Sequence, residues 1–273
     1  MQTGRASWRQ ELDALLDTVD QIFPGAIRSV YLIGSRSEAA ALPDSDVDVS
    51  IVVNTVTDMA QVGQLFGKRT LPGGLRLDVH VDTLQILGSP GWEFLAARLK
   101  YAGEPIRGDD VRNEIAEPDF NAFKARIFSE VRKGIGMLRN LSVDELDQLP
   151  LPIGFPDASR FFYGYEVVRK KDWYLPGTAE GTRELVAVAT YCASAWVVSR
   201  HRTFVLSKTQ AVRALRRIEN GARADLTERI YRLCRTNWGG RVPDDEEDRT
   251  VLRGLCEPFL RFENEVLALP ARS

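Results

Sequence analysis

The segment YLIGSRSEAAALPDSDVDVSIVV, residues 31–53, consists of two apolar runs joined by a polar loop. The loop begins at Gly34-Ser35 and ends at Asp46 and Asp48, where the second apolar run starts. Residues two apart on a β-strand point to the same face, so Asp46 and Asp48 lie side by side. Two carboxylates this close repel each other unless a cation or protons neutralise them. The segment therefore predicts a site that uses negative charge.

A third carboxylate is available on a later strand, LRLDVHVD, residues 75–82. Its residues alternate between an apolar and a polar face, and the polar face comprises Arg76, Asp78, His80 and Asp82. If this strand pairs beside the strand of Asp46 and Asp48, Asp78 completes a triad of carboxylates. Mg²⁺ binds carboxylate oxygens, and a pair of such ions stabilises both the attacking and the leaving oxygen in nucleotidyl transfer.

The turn at Gly34-Ser35 has the properties of a phosphate-binding turn. Gly34 allows a backbone to approach closely, and Ser35 offers an N–H and a hydroxyl to phosphate oxygens. Arg36 adds a positive charge. A Gly-Ser turn or a D-x-D strand alone is common in structural roles, but their combination with a later acid favours phosphate chemistry.

The order of these features resembles the signature of the polymerase β-type nucleotidyltransferase superfamily. Gly34-Ser35 is followed after ten residues by Asp46-Val47-Asp48-Val49 and later by Leu77-Asp78-Val79. The resemblance implies that the Gly-Ser turn holds a nucleoside triphosphate and that two Mg²⁺ ions bind the three acids, which are also the catalytic residues. The chain departs from the pattern at Ala39-Ala40-Ala41, where relatives often carry a glycine.

Composition places few limits on function. With 273 residues, 44% apolar and 27% charged, the chain has the composition of a globular protein with one large or two smaller domains. Residues 1–112 carry 11 Lys and Arg against 15 Asp and Glu, whereas the rest carries 25 against 23. Three dispersed cysteines indicate free thiols, and no apolar run suits a signal peptide or a membrane span, so we expect a cytoplasmic protein.

The periodicity changes near residue 113. Helical spacing over 7–22, three strand-like segments and a helix near 57–67 predict a nucleotidyltransferase domain over residues 1–112, with a small mixed sheet and flanking helices. Residues 113–273 show only helical spacing, which predicts an all-α bundle; the superfamily resemblance implies that this second domain binds the acceptor. Its predicted helices begin near residue 120 and later lie near 160–174, 182–200, 208–218, 224–235 and 247–269. The predicted fold class is thus α+β.

The helical half resembles the corresponding domain of aminoglycoside adenylyltransferases of the streptomycin/spectinomycin type. The resemblance covers residues 184–215 and rests on Ser207-Lys208 followed by Ala211. Ser207 is a good helix N-cap, whereas Lys208 at a helix start opposes the helix dipole. Lys208 is therefore either a solvated side chain or a contact for the triphosphate. The predicted nucleotide-binding residues are Gly34, Ser35, Arg36, Ser45 and Lys208.

These features favour an enzyme that uses ATP or another nucleoside triphosphate to modify a hydroxyl of a small molecule, such as an aminoglycoside antibiotic. A second hypothesis is nucleotide transfer to tRNA or protein, which the slightly basic second half motivates. A third is a nucleotide-binding module without catalysis, which the presence of all three acids disfavours. Asp78 is either a metal ligand or the base for the acceptor hydroxyl. The nucleotide base, the acceptor and the oligomeric state stay open.

Overall fold

The computed structural model describes residues 3–38, 40–42, 45–66, 69–71, 75–139, 141–146, 148, 161–166 and 181–269. The chain divides into two compact units, Met1–Ala122 and Phe123–Ser273. The boundary predicted after residue 112 stays a prediction. Within the described residues, no helix is long and apolar enough to cross a membrane.

The first unit contains a five-stranded sheet with helices on both faces. Its elements are α1 Thr3–Ile22, β1 Ile27–Ile33, β2 Val47–Val53, α2 Val56–Phe66, β3 Arg69–Leu71, β4 Leu75–Thr83, α3 Leu84–Leu87, α4 Glu93–Ala102 and β5 Glu104–Gly108, followed by a 3₁₀ turn at Arg112–Glu114.

The sheet is mixed, with the strand order β3-β4-β2-β1-β5. Strands β2 and β4 are parallel, and the other neighbours are antiparallel. Parallel neighbours need a crossover connection, and the segment containing α2 supplies it. The prediction of an α+β fold with a small mixed sheet is confirmed. The short strands β3 and β5 were not predicted.

One face of the sheet packs against α1 and α2. The predicted apolar side of α1 is buried there, including Trp8, Leu12, Leu16 and Val19. The strand residues of this core are Val30, Leu32, Val47, Val49, Ile51, Val53 and Leu77. Val47, Val49, Ile51 and Val53 of β2 alternate into this core, so Asp48 lies on the opposite face together with Val52.

The opposite face of the sheet is covered in part by α4. Leu95 and Leu99 of this helix are buried against Tyr31 and Ile33 of β1. The Tyr31 hydroxyl accepts the backbone N–H of Val111 at 2.7 Å, which ties the segment after β5 to the core. This packing fixes α4 along β1, near the strand end from which the Gly34-Ser35 turn departs.

The described residues of the second unit form helices and turns, so the prediction of an all-α second half is confirmed. The elements are α5 Phe120–Arg139, α6 Val143–Leu146, α7 Arg183–Arg200, α8 Lys208–Ile218, α9 Ala222–Ile230 with a π-helical extension Tyr231–Asn237, and α10 Glu246–Leu267. Helix α7 packs against α8, α9 and α10. We predicted a helix over residues 160–174. Residues 161–166 form turns, so the prediction is wrong there, and the other residues of the range lie outside the described residues. All three cysteines are free and buried.

A buried ion pair joins α5 to α10. Arg139 Nη2 lies 3.3 Å from Glu263 Oε2, and their side chains are 0% and 3% exposed. Arg139 also donates to the carbonyl oxygen of Tyr163 at 2.6 Å and lies over the ring of Tyr165. Burial raises the pKa of Glu263, and the positive charge of Arg139 opposes this effect. Removing Arg139 would leave the buried Glu263 carboxylate without its positive partner.

We therefore expect Arg139→Met to lower the free energy of unfolding by about 3–5 kcal/mol, the usual cost of breaking a buried pair. The double variant Arg139→Met/Glu263→Leu should recover most of this loss, because it removes both charges. Urea denaturation measures both effects.

Arg126→Met is the matched control, since Arg126 forms an exposed pair with Glu130 one helical turn away. We expect a change of about 0.5 kcal/mol or less from this control. If the double variant is as unstable as Arg139→Met alone, the loss of stability comes from altered packing and not from the unpaired charge of Glu263.

Candidate functional site

Two of the predicted acids lie directly beside each other on parallel strands. Asp48 of β2 pairs in register with Asp78 of β4. Paired residues on neighbouring strands present their side chains on the same face. Ile33 of β1 pairs with Asp48 from the other side, and Ile33 packs against α4. The two carboxylates therefore lie on the face of the sheet that α4 partly covers.

Gly34 lies next to these carboxylates, at the start of the loop. Its φ of +78° lies in the left-handed region, which L side chains rarely adopt. A Cβ at this position would overlap Oδ2 of Asp48, so the carboxylate occupies the space that glycine leaves. The turn after it is held by the Ser37 hydroxyl, which donates to the Gly34 carbonyl oxygen at 2.8 Å. The glycine is thus required both by backbone geometry and by the position of Asp48.

Asp46 is engaged by an arginine of the neighbouring strand. Arg76 Nη2 lies 3.1 Å from Asp46 Oδ2, with the two side chains 21% and 36% exposed. Arg76 precedes Asp78 by two residues and so lies on the same face of β4. In this arrangement the guanidinium partly neutralises the acidic cluster.

The carboxylate pair fits a magnesium ion of the type that binds with a nucleotide. No group of three or more His, Cys, Asp and Glu residues within the described part of the chain is arranged to hold a metal. Protein Mg²⁺ sites commonly use one or two carboxylates, and water and substrate phosphates supply the remaining ligands. Asp48 and Asp78, as adjacent hard oxygen donors, match that ligand set. Ligation by all three acids and a second ion stay predictions.

Arg36 and Ser45 hold the loop together. Arg36 donates through Nη2 to the Ser45 carbonyl oxygen at 2.6 Å and through Nε to the Asp46 carbonyl oxygen at 3.1 Å. The Ser45 hydroxyl accepts the backbone N–H of Leu42 at 2.8 Å. These contacts bring the end of the loop, at Ser45 and Asp46, against Arg36 near its beginning. Nucleotide binding by Ser35, Arg36 and Ser45 stays a prediction.

The alanines of this loop fit its backbone. Ala40 donates its N–H to the Ser35 carbonyl oxygen at 2.9 Å. Neither Ala40 nor Ala41 has a positive φ, so neither needs the conformational freedom of glycine. Ala39 lies outside the described residues. At the two described positions, the departure from the family pattern therefore introduces no backbone strain.

In the second unit, Ser207 is the N-cap of α8, as predicted. Its hydroxyl accepts the Gln210 N–H at 3.1 Å, and the Gln210 side chain accepts the Leu206 N–H at 3.0 Å. This reciprocal arrangement resembles a capping box. Lys208 is the first helical residue and is exposed, and Ala211 is fully buried. The contact of Lys208 with a triphosphate stays a prediction.

A row of polar residues continues from the carboxylate pair into the interior. His80 pairs in register with Ser50, and Asp82 follows on the same face of β4. Ser50 is fully buried and Asp82 is 2% exposed, and neither the Ser50 hydroxyl nor Asp82 Oδ2 has a hydrogen-bond partner among the residues that the structure describes. Burial raises the pKa of Asp82, and His80 lowers it by a smaller amount. Asp82 is thus buried too deeply to act as an additional ligand at the surface of the site.

Part of the first unit matches a known domain family. Residues 12–89 match the family model of the nucleotidyltransferase domain, which confirms the resemblance that the motif predicted for this segment. No curated protein matches the chain. Among solved structures, the chain is similar to spectinomycin adenyltransferase AAD(9) from Enterococcus faecialis, solved with ATP and spectinomycin. The identity is 13%, the match covers 92% of this chain and 99% of that chain, and the TM-score is 0.48. Likeness at this level does not transfer the ligands of one protein to another.

Two arginines near the site were not identified as functional from the sequence. Arg76 was placed on the polar face of its strand, but its pairing with Asp46 depends on the β2–β4 register. Arg98 of α4 lies near Gly34, with its Nη2 3.3 Å from an ideal Cβ built there. This approach arises from tertiary packing and has no local sequence signal.

Gly34→Ala tests the close fit of the turn. We expect a loss of about 1–2 kcal/mol in the free energy of unfolding from the left-handed backbone alone. Displacement of Asp48 should add to this loss. Chemical denaturation measures it, and Gly63→Ala in α2 is the control because a Cβ there meets no atom within 4 Å. The control should be stabilised by about 0.5–1 kcal/mol. Equal stability of Gly34→Ala and the wild-type protein would contradict the geometry.

Asp82→Asn tests the buried carboxyl. Its folded-state pKa is raised above the ordinary value of 3.8. The folded protein therefore binds the Asp82 proton more tightly than the unfolded chain does. The stability that this proton contributes is fully present below about pH 4 and is lost as pH rises through the folded-state pKa. Asparagine stays neutral throughout.

We accordingly expect the stability of Asp82→Asn relative to the wild-type protein to increase as pH rises from about 4 to about 7. Urea denaturation across this range measures the difference. A difference that is the same at every pH would show that Asp82 does not carry a raised pKa.

Proposed function

We propose that the chain is a Mg²⁺-dependent nucleotidyltransferase that transfers AMP from ATP to a hydroxyl of an aminoglycoside-like small molecule and releases pyrophosphate. The observation that carries this proposal is the register of Asp48 with Asp78 beside the left-handed Gly34. These residues lie within the segment that matches the nucleotidyltransferase domain.

Asp48 and Asp78 would hold the magnesium ion, and Asp46 would join them when its carboxylate turns from Arg76. Bound magnesium supplies positive charge that neutralises the phosphates and stabilises the charge developing on the departing pyrophosphate. The Gly34-Ser35 turn holds the triphosphate with backbone N–H groups and the Ser35 hydroxyl. The Ser45 hydroxyl, which accepts from Leu42, still has a proton to donate to a phosphate oxygen.

In the proposed reaction the acceptor hydroxyl attacks the α-phosphorus. A bond forms between the acceptor oxygen and this phosphorus, and the bond to the oxygen bridging to the β-phosphate breaks. The electron pair of that bond leaves with pyrophosphate, and the hydroxyl proton passes to water, since Asp78 serves as a magnesium ligand in this proposal. The protein contributes positioning and fixed charge, which are the main sources of rate enhancement in phosphoryl-type transfers.

The assignment of a small-molecule acceptor is supported by the resemblance carried by Ser207-Lys208 and Ala211. The capping arrangement at Ser207 explains why a serine is favoured before this helix. Lys208 follows this cap as the first helical residue, where its positive charge opposes the helix dipole. A triphosphate contact by Lys208 is part of the proposal.

The activity test uses ATP labelled at the α-phosphate with Mg²⁺ and a panel of aminoglycosides. We expect a labelled small molecule and release of pyrophosphate. Asp48→Asn should lower the rate by on the order of 100-fold or more, because the magnesium ion that stabilises the transition state loses a charged ligand. Asp13→Asn, on the exposed side of α1, is the matched control and should retain the wild-type rate.

Labelling of total tRNA or of protein, with no labelled small molecule, would contradict the proposed acceptor class and favour the macromolecular alternative. Absence of any labelled product and of pyrophosphate would contradict the proposed activity. Turnover that Asp48→Asn leaves unchanged would contradict the assigned site.

A further inference from the structure

Helix α4 brings an arginine to the Gly34 turn. Leu95 and Leu99, one helical turn apart, are buried against Tyr31 and Ile33. Arg98 precedes Leu99, so the packing that buries Leu99 fixes the direction in which Arg98 leaves the helix. The helix thereby holds this guanidinium at the loop end of β1.

The guanidinium, the glycine and a site carboxylate meet at one point. An ideal Cβ at Gly34 would lie 3.3 Å from Arg98 Nη2 and would overlap Asp48 Oδ2. Ile33, which packs on α4, pairs in register with Asp48, so α4 and the carboxylates lie on the same face of the sheet. Arg98 is thus beside the turn proposed to hold the triphosphate.

The other two arginines of the site are engaged by the protein itself. Arg36 donates to the carbonyl oxygens of Ser45 and Asp46, and Arg76 forms an ion pair with Asp46. The Arg98 guanidinium forms no hydrogen bond or ion pair with any described residue, and its carbon lies 5.7 Å from the centre of the Phe94 ring. A half-buried guanidinium with unengaged donors is available to a ligand.

We propose that Arg98 binds the pyrophosphoryl portion of the nucleotide, a role that rests on the proposed function. The planar guanidinium donates parallel hydrogen bonds to two oxygens of one phosphate, which an ammonium group cannot do. Its charge would offset the negative charge that accumulates on pyrophosphate as the bond to the α-phosphorus breaks. Arg98 would also stabilise the site before the nucleotide binds, because it lies next to Asp48.

The experiment measures binding of inorganic pyrophosphate, with Mg²⁺, by isothermal titration calorimetry. The proteins are the wild type, Arg98→Gln, Arg98→Lys and the control Arg28→Gln. Arg28 lies at the opposite end of β1, where it pairs with Glu114 at 2.6 Å. Arg98→Gln and Arg28→Gln each remove one positive charge from the first unit, so the test variant and the control have the same net charge. Arg98→Lys keeps the charge.

We expect Arg98→Gln to weaken pyrophosphate binding at least about 10-fold, as befits the loss of a charge-assisted bidentate contact. Arg98→Lys should show a smaller loss, since it keeps the charge but not the fork. Arg28→Gln should bind within about twofold of the wild-type protein. Binding of AMP should stay within about twofold in all four proteins, because AMP lacks the phosphates that Arg98 contacts.

Equal pyrophosphate binding by the wild type and Arg98→Gln would overturn the role of Arg98 and leave it as a counter-charge to Asp48. A wild-type protein that binds neither pyrophosphate nor α,β-methylene-ATP with Mg²⁺ would overturn the proposed function and this role together. Circular dichroism establishes that each variant is folded. If Arg98→Gln does not fold, Arg98→Lys decides: binding equal to the wild type overturns the bidentate contact.

Discussion

The pairing of Asp48 with Asp78 across parallel strands is the constraint on which the first unit depends. Hydrogen bonding between β2 and β4 forces two carboxylates to lie side by side on one face. Such a pair is unfavourable without a compensating positive charge. Arg76 lies on the same strand as Asp78 and binds Asp46, and Arg98 approaches Asp48 from α4. The positive groups around the acids thus follow from a repulsion that the fold itself creates.

The same face of the sheet serves both stability and chemistry. Along β1, Tyr31 and Ile33 are buried by α4, and beyond Ile33 the chain turns at Gly34 to expose Asp48. Helix α4, which completes the core on this face, therefore also borders the site and brings Arg98 to it. Residues deeper on this face are buried, including Ser50 and Asp82, whose polar atoms reduce stability where they find no partner in the described part of the chain. On this face of the sheet, the polar groups that a ligand can reach therefore lie at the strand ends, where the loop meets the strands.

The sequence was sufficient to predict much of this unit, because the decisive patterns are local. The alternation of apolar and polar residues over 75–82 predicted that Leu77 and Asp78 lie on opposite faces of their strand. The D-x-D spacing predicted that Asp46 and Asp48 share one polar face. The short strands β3 and β5 lacked a local signal, since three to five residues cannot establish a period and their pairing depends on neighbours. The positions of Arg76 and Arg98 in the site could not be predicted for the same reason: each depends on contacts with residues distant in sequence. The helix predicted over residues 160–174 failed at 161–166, where Tyr163 has a φ of +58° that no right-handed helix accommodates.

The central claim is that Asp48 and Asp78 together bind a divalent metal beside the phosphates of a nucleotide. A crystal structure of the protein with α,β-methylene-ATP and Mn²⁺ in place of Mg²⁺ tests it most directly, because anomalous scattering locates the manganese independently. The account predicts a manganese ion coordinated by oxygens of both Asp48 and Asp78 and by a phosphate oxygen, with the triphosphate against the Gly34-Ser35 turn. A bound nucleotide whose metal contacts neither carboxylate would contradict it.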